Sequence, residues 1–156
     1  MATLDTLIVG AGQAGLGVSY FLERDGVEHV VLEQGRIGET WLSQRWDSFT
    51  LNTLTTMNTL PGLPSGDPVS DGFWSRDQLI TYFERYVKHF QLPVRTGVSV
   101  LSVEPVDKED SFLVRTSSIG QGEETVVSRS IVIASGSQQV PKIPQTYSRL
   151  PHDITQ

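Results

Sequence analysis

The sequence predicts an α/β fold, a doubly wound parallel sheet with an antiparallel β-meander crossover, on three observations. First, a short strand over Thr3–Val9 runs into a glycine-rich turn and an amphipathic helical pattern, and a second apolar strand, His29-Val30-Val31-Leu32, ends on Glu33. Second, after a further helical stripe at Leu79, Phe83, Tyr86/Val87 and Phe90, the period changes from near four to two. Third, the run Ile131-Val132-Ile133-Ala134 is apolar throughout, as a strand covered on both faces reads.

The first element is a strand, helix and strand of the Rossmann-like kind. In Gly10-Ala11-Gly12-Gln13-Ala14-Gly15, Gly10 permits the turn leaving the strand and Gly12 removes a side chain where a pyrophosphate must approach the backbone. Gly15 lets the helix lie close on the strand, with the small Ser19 one turn later. The free N–H groups and positive dipole end of that helix then face the phosphates. Glu33 follows about twenty residues after the loop, where a carboxylate accepts hydrogen bonds from a ribose 2′-hydroxyl and repels a 2′-phosphate. This chemistry asks for the AMP half of FAD or NAD and disfavours NADP in the same slot.

The next stretch, from Gln34 to Thr53, has no clear period and holds Trp41, Trp46, an Arg45/Asp47 pair and several small polar residues. Such an assortment suits a loop lining a large flat ligand. The two tryptophans could equally be core anchors of a long loop, or do both. Met57 to Gly72 carries the turn dipeptides Pro61-Gly62, Ser65-Gly66, Asp67-Pro68 and Asp71-Gly72, so it reads as a surface excursion. Ser75-Arg76-Asp77-Gln78 has the form of a capping box opening the second helix, which Pro93 ends. Its aromatic stripe reads as core, and His89 as a surface residue near the helix end. Strands centred on Val98-Val100-Val103, Phe112-Leu113-Val114 and Thr125-Val126-Val127 make the meander. The return strand at 131–134 lies beside the first and ends in Ser135-Gly136-Ser137, before Pro141 and Pro144.

Composition narrows the function classes. The chain has 156 residues, enough for one domain with a real core, and a net charge of −6. An acidic surface repels nucleic acid and anionic membranes, so neither is expected as a partner. There is no cysteine, which removes disulfides, thiolate metal sites and any redox-active cysteine pair. No apolar run approaches the ~20 residues of a membrane-spanning helix. A cleavable leader would destroy a glycine loop that begins at residue 10, so a cytoplasmic protein is expected. The three histidines, His29, His89 and His152, have no ligand-like spacing with one another or with carboxylates, and no metal site is expected.

With these residues in view, the chain resembles the FAD-binding half of flavin-containing monooxygenases and their Baeyer–Villiger and plant auxin-forming relatives. The matching pieces are the glycine loop, Glu33, Gly38-Glu39-Thr40-Trp41, Arg45-Trp46-Asp47-Ser48, Leu51-Asn52-Thr53 and Ala134-Ser135-Gly136 with Pro141 and Pro144. The resemblance implies that FAD lies extended along the carboxyl edge of the sheet, with Gly10, Gly12, Gln13, Ala14, Gly15, Ala134 and Gly136 around its phosphates. Glu33 would hold its ribose, the backbone at Val98 would face adenine, and Gln34, Thr40 and Trp41 would line the pyrophosphate and flavin end. Asn52 matches the asparagine near the reactive flavin carbon, although an Asn in a polar loop is also an ordinary turn former.

Two departures stand out: Ala-Ser-Gly replaces Ala-Thr-Gly at 134–136, and Gly38-Glu39 replaces a pair of glycines. In the complete family NADPH reduces FAD, and a C4a-hydroperoxide transfers one oxygen to a nitrogen, sulfur or carbonyl substrate. The chain is expected to be a single FAD-binding domain, 1–156, lacking the NADPH-binding domain and the final FAD-domain segment, with His152 close to where the family's next motif would begin. A homo-oligomer or a complementing second chain is expected to cover the sheet edge this leaves. A non-catalytic FAD- or NAD-binding module is the alternative; the tryptophan loop and the meander argue against a simple NAD-dependent dehydrogenase.

Overall fold

A computed structural model of the chain describes residues 3–62, 72–106, 110–136 and 142. The turn residues Pro64 to Asp71, the prolines Pro141 and Pro144, and His152 lie outside the described residues. The elements are β1 (Thr3–Val9), α1 (Gln13–Arg24), β2 (His29–Glu33), α2 (Glu39–Ser43), α3 (Arg76–Phe90), β3 (Val94–Thr96), β4 (Val98–Pro105), β5 (Phe112–Ser118) and β6 (Gly122–Ile133). They form one six-stranded sheet in the order β3-β2-β1-β6-β5-β4. The first four of these strands are mutually parallel, and β6-β5-β4 is an antiparallel meander.

The α/β fold is therefore the one expected, with one change of detail. The third meander strand and the return strand are a single strand, β6. Its first half pairs with β5 from Gly122 to Ser128, and its second half pairs with β1 up to Val9↔Ile133. The sequence pattern splits because Ser128, Arg129 and Ser130 interrupt the apolar residues where β6 changes partners. Ser128 is nonetheless fully buried, with its hydroxyl bonded to the Ser130 carbonyl. Satisfying the hydroxyl locally lets a polar residue sit in the core.

Each strand of the parallel half feeds two cores, because alternate side chains leave opposite faces. Ile8 and Val31 join Leu16 of α1 and Leu79, Tyr82, Phe83 and Tyr86 of α3 on one face. Leu7 and Leu32 join Val98 of β4 and Val114 of β5 on the other. The meander thus folds back over the parallel strands and occupies the face that a helix would cover in a simpler α/β crossover.

Helix α3 begins at the expected capping box: Gln78 N–H donates to Ser75 Oγ at 3.2 Å, and Ser75 N–H donates to Gln78 Oε1 at 2.8 Å. Its tyrosines also hold the irregular segment before it. Leu60 N–H donates to the Tyr82 hydroxyl, and the Tyr86 hydroxyl donates to the Pro61 carbonyl. Burial pushes the Tyr86 phenol up, so it stays a donor. His89 is exposed, as expected. His29 is buried and structural, with Nδ1 2.9 Å from the Val27 carbonyl and Nε2 2.8 Å from Ser19 Oγ. The carbonyl can only accept, so Nδ1 carries the proton and the Ser19 hydroxyl donates to Nε2. No helix among the described residues is long and apolar enough to cross a membrane.

Candidate functional site

The carboxyl ends of β1, β2 and β6 meet where the chain order reverses on either side of β1, the switch point at which open α/β sheets bind ligands. A cavity of about 850 Å³ opens there, within the range of small-molecule and cofactor sites. Gly10, Gly12, Gln13 and Ala14 line its floor, and Glu33, Gln34, Thr40 and Trp41 its flank. Val98 comes from the meander, and Ala134 and Gly136 from the end of β6. These residues come from five separate stretches of sequence, and the fold brings them around one cavity.

The three glycines of the loop separate into two kinds. Gly10 has φ +105°, and a Cβ there would stand 2.6 Å from the Ala134 carbonyl oxygen. A Cβ at Gly15 would stand 2.0 Å from the Gly10 carbonyl oxygen. Both are required by the protein itself, and Gly15 accordingly does not line the cavity. Gly12 differs. Its φ of −91° suits any residue, and among the described residues no atom beyond its two chain neighbours lies within 4 Å of the position its Cβ would take. The space beside Gly12 belongs to the cavity. Gly12 is also the N-cap of α1, which has no side-chain cap and no acidic residue in its first turn, so the helix presents its opening amides and positive dipole end without a local anion.

Glu33 also has a structural role, which sequence reasoning missed. Its Oε2 accepts the Ala11 N–H at 2.9 Å and its Oε1 accepts the Gly35 N–H at 2.9 Å. The carboxylate ties the glycine loop to the turn after β2, and each oxygen keeps further acceptor capacity for ribose hydroxyls. Replacing it by alanine should lower the melting temperature of the ligand-free protein, since the buried Ala11 loses the acceptor for its N–H, and, if an adenosine ribose is held here, should weaken FAD binding by roughly 1–3 kcal/mol. An unchanged dissociation constant in a calorimetric titration would place the ribose elsewhere.

The tryptophan loop divides as well. Trp41 lines the cavity and also packs against the helix-side core. Trp46 is 65% exposed, meets Phe49 edge-on and does not line the cavity, so it is neither a core anchor nor a wall residue. Arg45, quoted above only as part of a motif, reaches the cavity with its guanidinium over the rings of Trp41 and Phe49. Arg76 holds this segment from α3, donating to the Arg45 carbonyl at 3.1 Å and to Asp47 Oδ1 at 3.0 Å. No spacing rule pairs residues 31 apart in the chain, which is why Arg76 was not legible as a site-supporting residue. Asn52 is exposed and does not line the cavity. The buried amide in that loop is Asn58, whose Nδ2 donates to the carbonyls of Thr53 and Leu54 and whose Oδ1 accepts from the Thr53 hydroxyl. Among the described residues, no group of three or more His, Asp or Glu side chains could hold a metal.

A parallel sheet with a meander crossover, a helix opening onto its switch point and an acid at the end of the second strand define a dinucleotide-binding α/β domain. More particularly, the chain belongs to the pyridine nucleotide-disulphide oxidoreductase family, which matches residues 7–151. It is 31% identical to an uncharacterized oxidoreductase, CzcO, of Bacillus subtilis over 97% of this chain and 42% of that one. It is 29% identical to the probable indole-3-pyruvate monooxygenase YUCCA7 of Arabidopsis thaliana over 89% of this chain and 33% of that one. Among solved structures, a flavin-containing monooxygenase from Stenotrophomonas maltophilia superposes with TM-score 0.72 at 26% identity, over 86% of this chain and 39% of that one. An oxidized steroid monooxygenase bound to NADP shares the fold at TM-score 0.80 and 21% identity, over 92% of this chain and 28% of that one. The resemblance to the FAD-binding half of flavin monooxygenases is thereby borne out. The chain spans about two-fifths of the length of the CzcO relative.

Proposed function

We propose that this chain binds FAD in the cavity at the switch point and is the FAD-binding part of a flavin-dependent monooxygenase-type oxidoreductase. The observation that carries the reading is Gly12, a glycine that no contact among the described residues requires, set beside an uncapped helix and a carboxylate-tied loop. In this reading the α1 amides and the Gly12 gap receive the pyrophosphate, Glu33 holds the adenosine ribose, and Val98 lies against adenine. Trp41 and Arg45 take the flavin side; the resemblance alone would set Asn52 by the reactive edge of the ring, since it does not line this cavity. FAD would supply the redox chemistry, accepting reducing equivalents from NADPH and activating dioxygen for oxygenation of a nitrogen, sulfur or carbonyl substrate. The protein supplies binding, orientation and exclusion of water. Without cysteine, these residues cannot themselves carry the thiol–disulfide exchange that the family's description mentions.

The purified protein should show flavin absorbance, or acquire it on adding FAD. A colourless protein that stays so would overturn the reading. NADPH-dependent oxygen uptake separates a complete oxygenase from a binding module that needs a further polypeptide.

The sheet edge supports a second proposal, that another strand pairs here. Among the described residues, β6 pairs with β1 alone beyond Ser128, and Ile133 at its end is 65% exposed. An unpaired apolar edge is a template for association. The chain is therefore expected to self-associate or to take a complementing second chain, and a monomer at high concentration by light scattering would argue against it.

A further inference from the structure

Residue 39 is where this chain departs from the glycine pair that its resemblance leads one to expect, and the departure puts an acidic residue among those that line the cavity. Uncompensated, that charge would oppose the phosphates of a dinucleotide. The structure compensates it closely. Glu39 Oε2 accepts the Arg36 backbone N–H at 3.0 Å and Arg36 Nε–H at 2.8 Å, and Oε1 accepts from Nη2 at 3.1 Å.

The side chain is also seated. A Cβ at Gly35 would come within 2.5 Å of Glu39 Cγ and 2.9 Å of Oε2, so glycine leaves the room it occupies. Gly35 in turn donates its N–H to Glu33. Gly35, Arg36 and Glu39 thus make one unit, continuous with the carboxylate assigned to the ribose. Arg36 itself is not among the residues that line the cavity.

We infer that Arg36 is a positioning residue for the anionic cofactor, holding Glu39 folded and neutralised so that the cavity accepts a polyanion despite an acid in its wall. The inference rests on the FAD-binding reading above. The bidentate hydrogen bonds from Arg36 hold the Glu39 carboxyl at about 2, below its ordinary value. Their contribution is complete above the unfolded carboxyl's range and is lost only as pH falls toward 2. The pair is therefore intact at any pH at which the cofactor would be bound.

A residue that acts through charge on its neighbour has a distinct signature. Arg36→Ala should weaken FAD and ADP about five- to tenfold at low salt, less at about 0.5 M salt where the Debye length is only a few ångströms, and adenosine scarcely at all. The double variant Arg36→Ala/Glu39→Gln should return FAD affinity to within about twofold of the parent, because the charge that Arg36 restrains is gone. A double variant as weak as Arg36→Ala would overturn the inference and make Arg36 a direct contact or a purely structural residue. An Arg36→Ala protein that binds FAD as the parent does would overturn it too. A parent protein that binds no FAD would overturn the cofactor reading, and this inference with it.

Discussion

Gly12→Val is expected to give a folded protein that no longer binds FAD. A branched side chain at residue 12 projects into space where, among the described residues and beyond its chain neighbours, no atom lies within 4 Å, so the described fold offers nothing for it to clash with. The backbone there is at φ −91°, which valine tolerates. The cost to stability is that of a poorer N-cap, about 1 kcal/mol at most, and the melting temperature should move by no more than ~4 °C. The cost to binding is of another order. The methyl groups occupy the approach to the opening amides of α1, and affinity should fall by more than about a hundredfold, some 2.7 kcal/mol. Flavin retention on a desalting column together with a thermal melt checks both halves at once. Retained flavin would refute the site, and a large drop in melting temperature would refute the claim that Gly12 is free of the fold.

Gly15→Ala should behave in the opposite way. One added methyl would stand 2.0 Å from the Gly10 carbonyl oxygen, and both atoms belong to backbone that cannot turn aside. Helix α1 would have to lift from β1, breaking the contact of the fully buried Leu16 and Ile8 with the helix-side core. Overpacking of this severity should cost more than about 4 kcal/mol, or roughly 10 °C in a chain of this size. Any loss of FAD would then follow from loss of the fold. A Gly15→Ala protein with an unchanged melting curve would show that α1 does not pack as closely as described. Two glycines of one motif, three positions apart, are thus expected to fail for different reasons.

The contrast shows what could be read from residues alone. The strand–turn–helix–strand unit and the capping box at Ser75 were legible because each rests on short-range rules of hydrogen bonding and periodicity. The meander was legible for the same reason, although Ser128 and Ser130 hid that β6 is one strand with two partners. Helix α2 was not visible, since five residues opened by a glycine show no period. Strand β3 was not singled out either, because three residues become a strand only by lying beside β2.

For the site, a motif supplied the glycine loop and Glu33, and the resemblance supplied Thr40, Trp41, Val98 and the 134–136 turn. What remained hidden depends on contacts between distant parts of the chain. Arg76 holds the Arg45 segment from another element, and Glu33 ties Ala11 of the glycine loop, 22 positions away, to the turn at Gly35. Residue spacing encodes neither of these.

The central claim is that a dinucleotide's phosphates sit over the amides that open α1. The most direct measurement is a titration of the ¹⁵N-labelled protein with FAD, following backbone amide shifts residue by residue. The claim predicts the largest changes at Gly12, Gln13 and Ala14, with Gly35 responding as Glu33 takes up the ribose. Saturable binding with those amides unmoved, and the changes gathered on another face of the sheet, would contradict it.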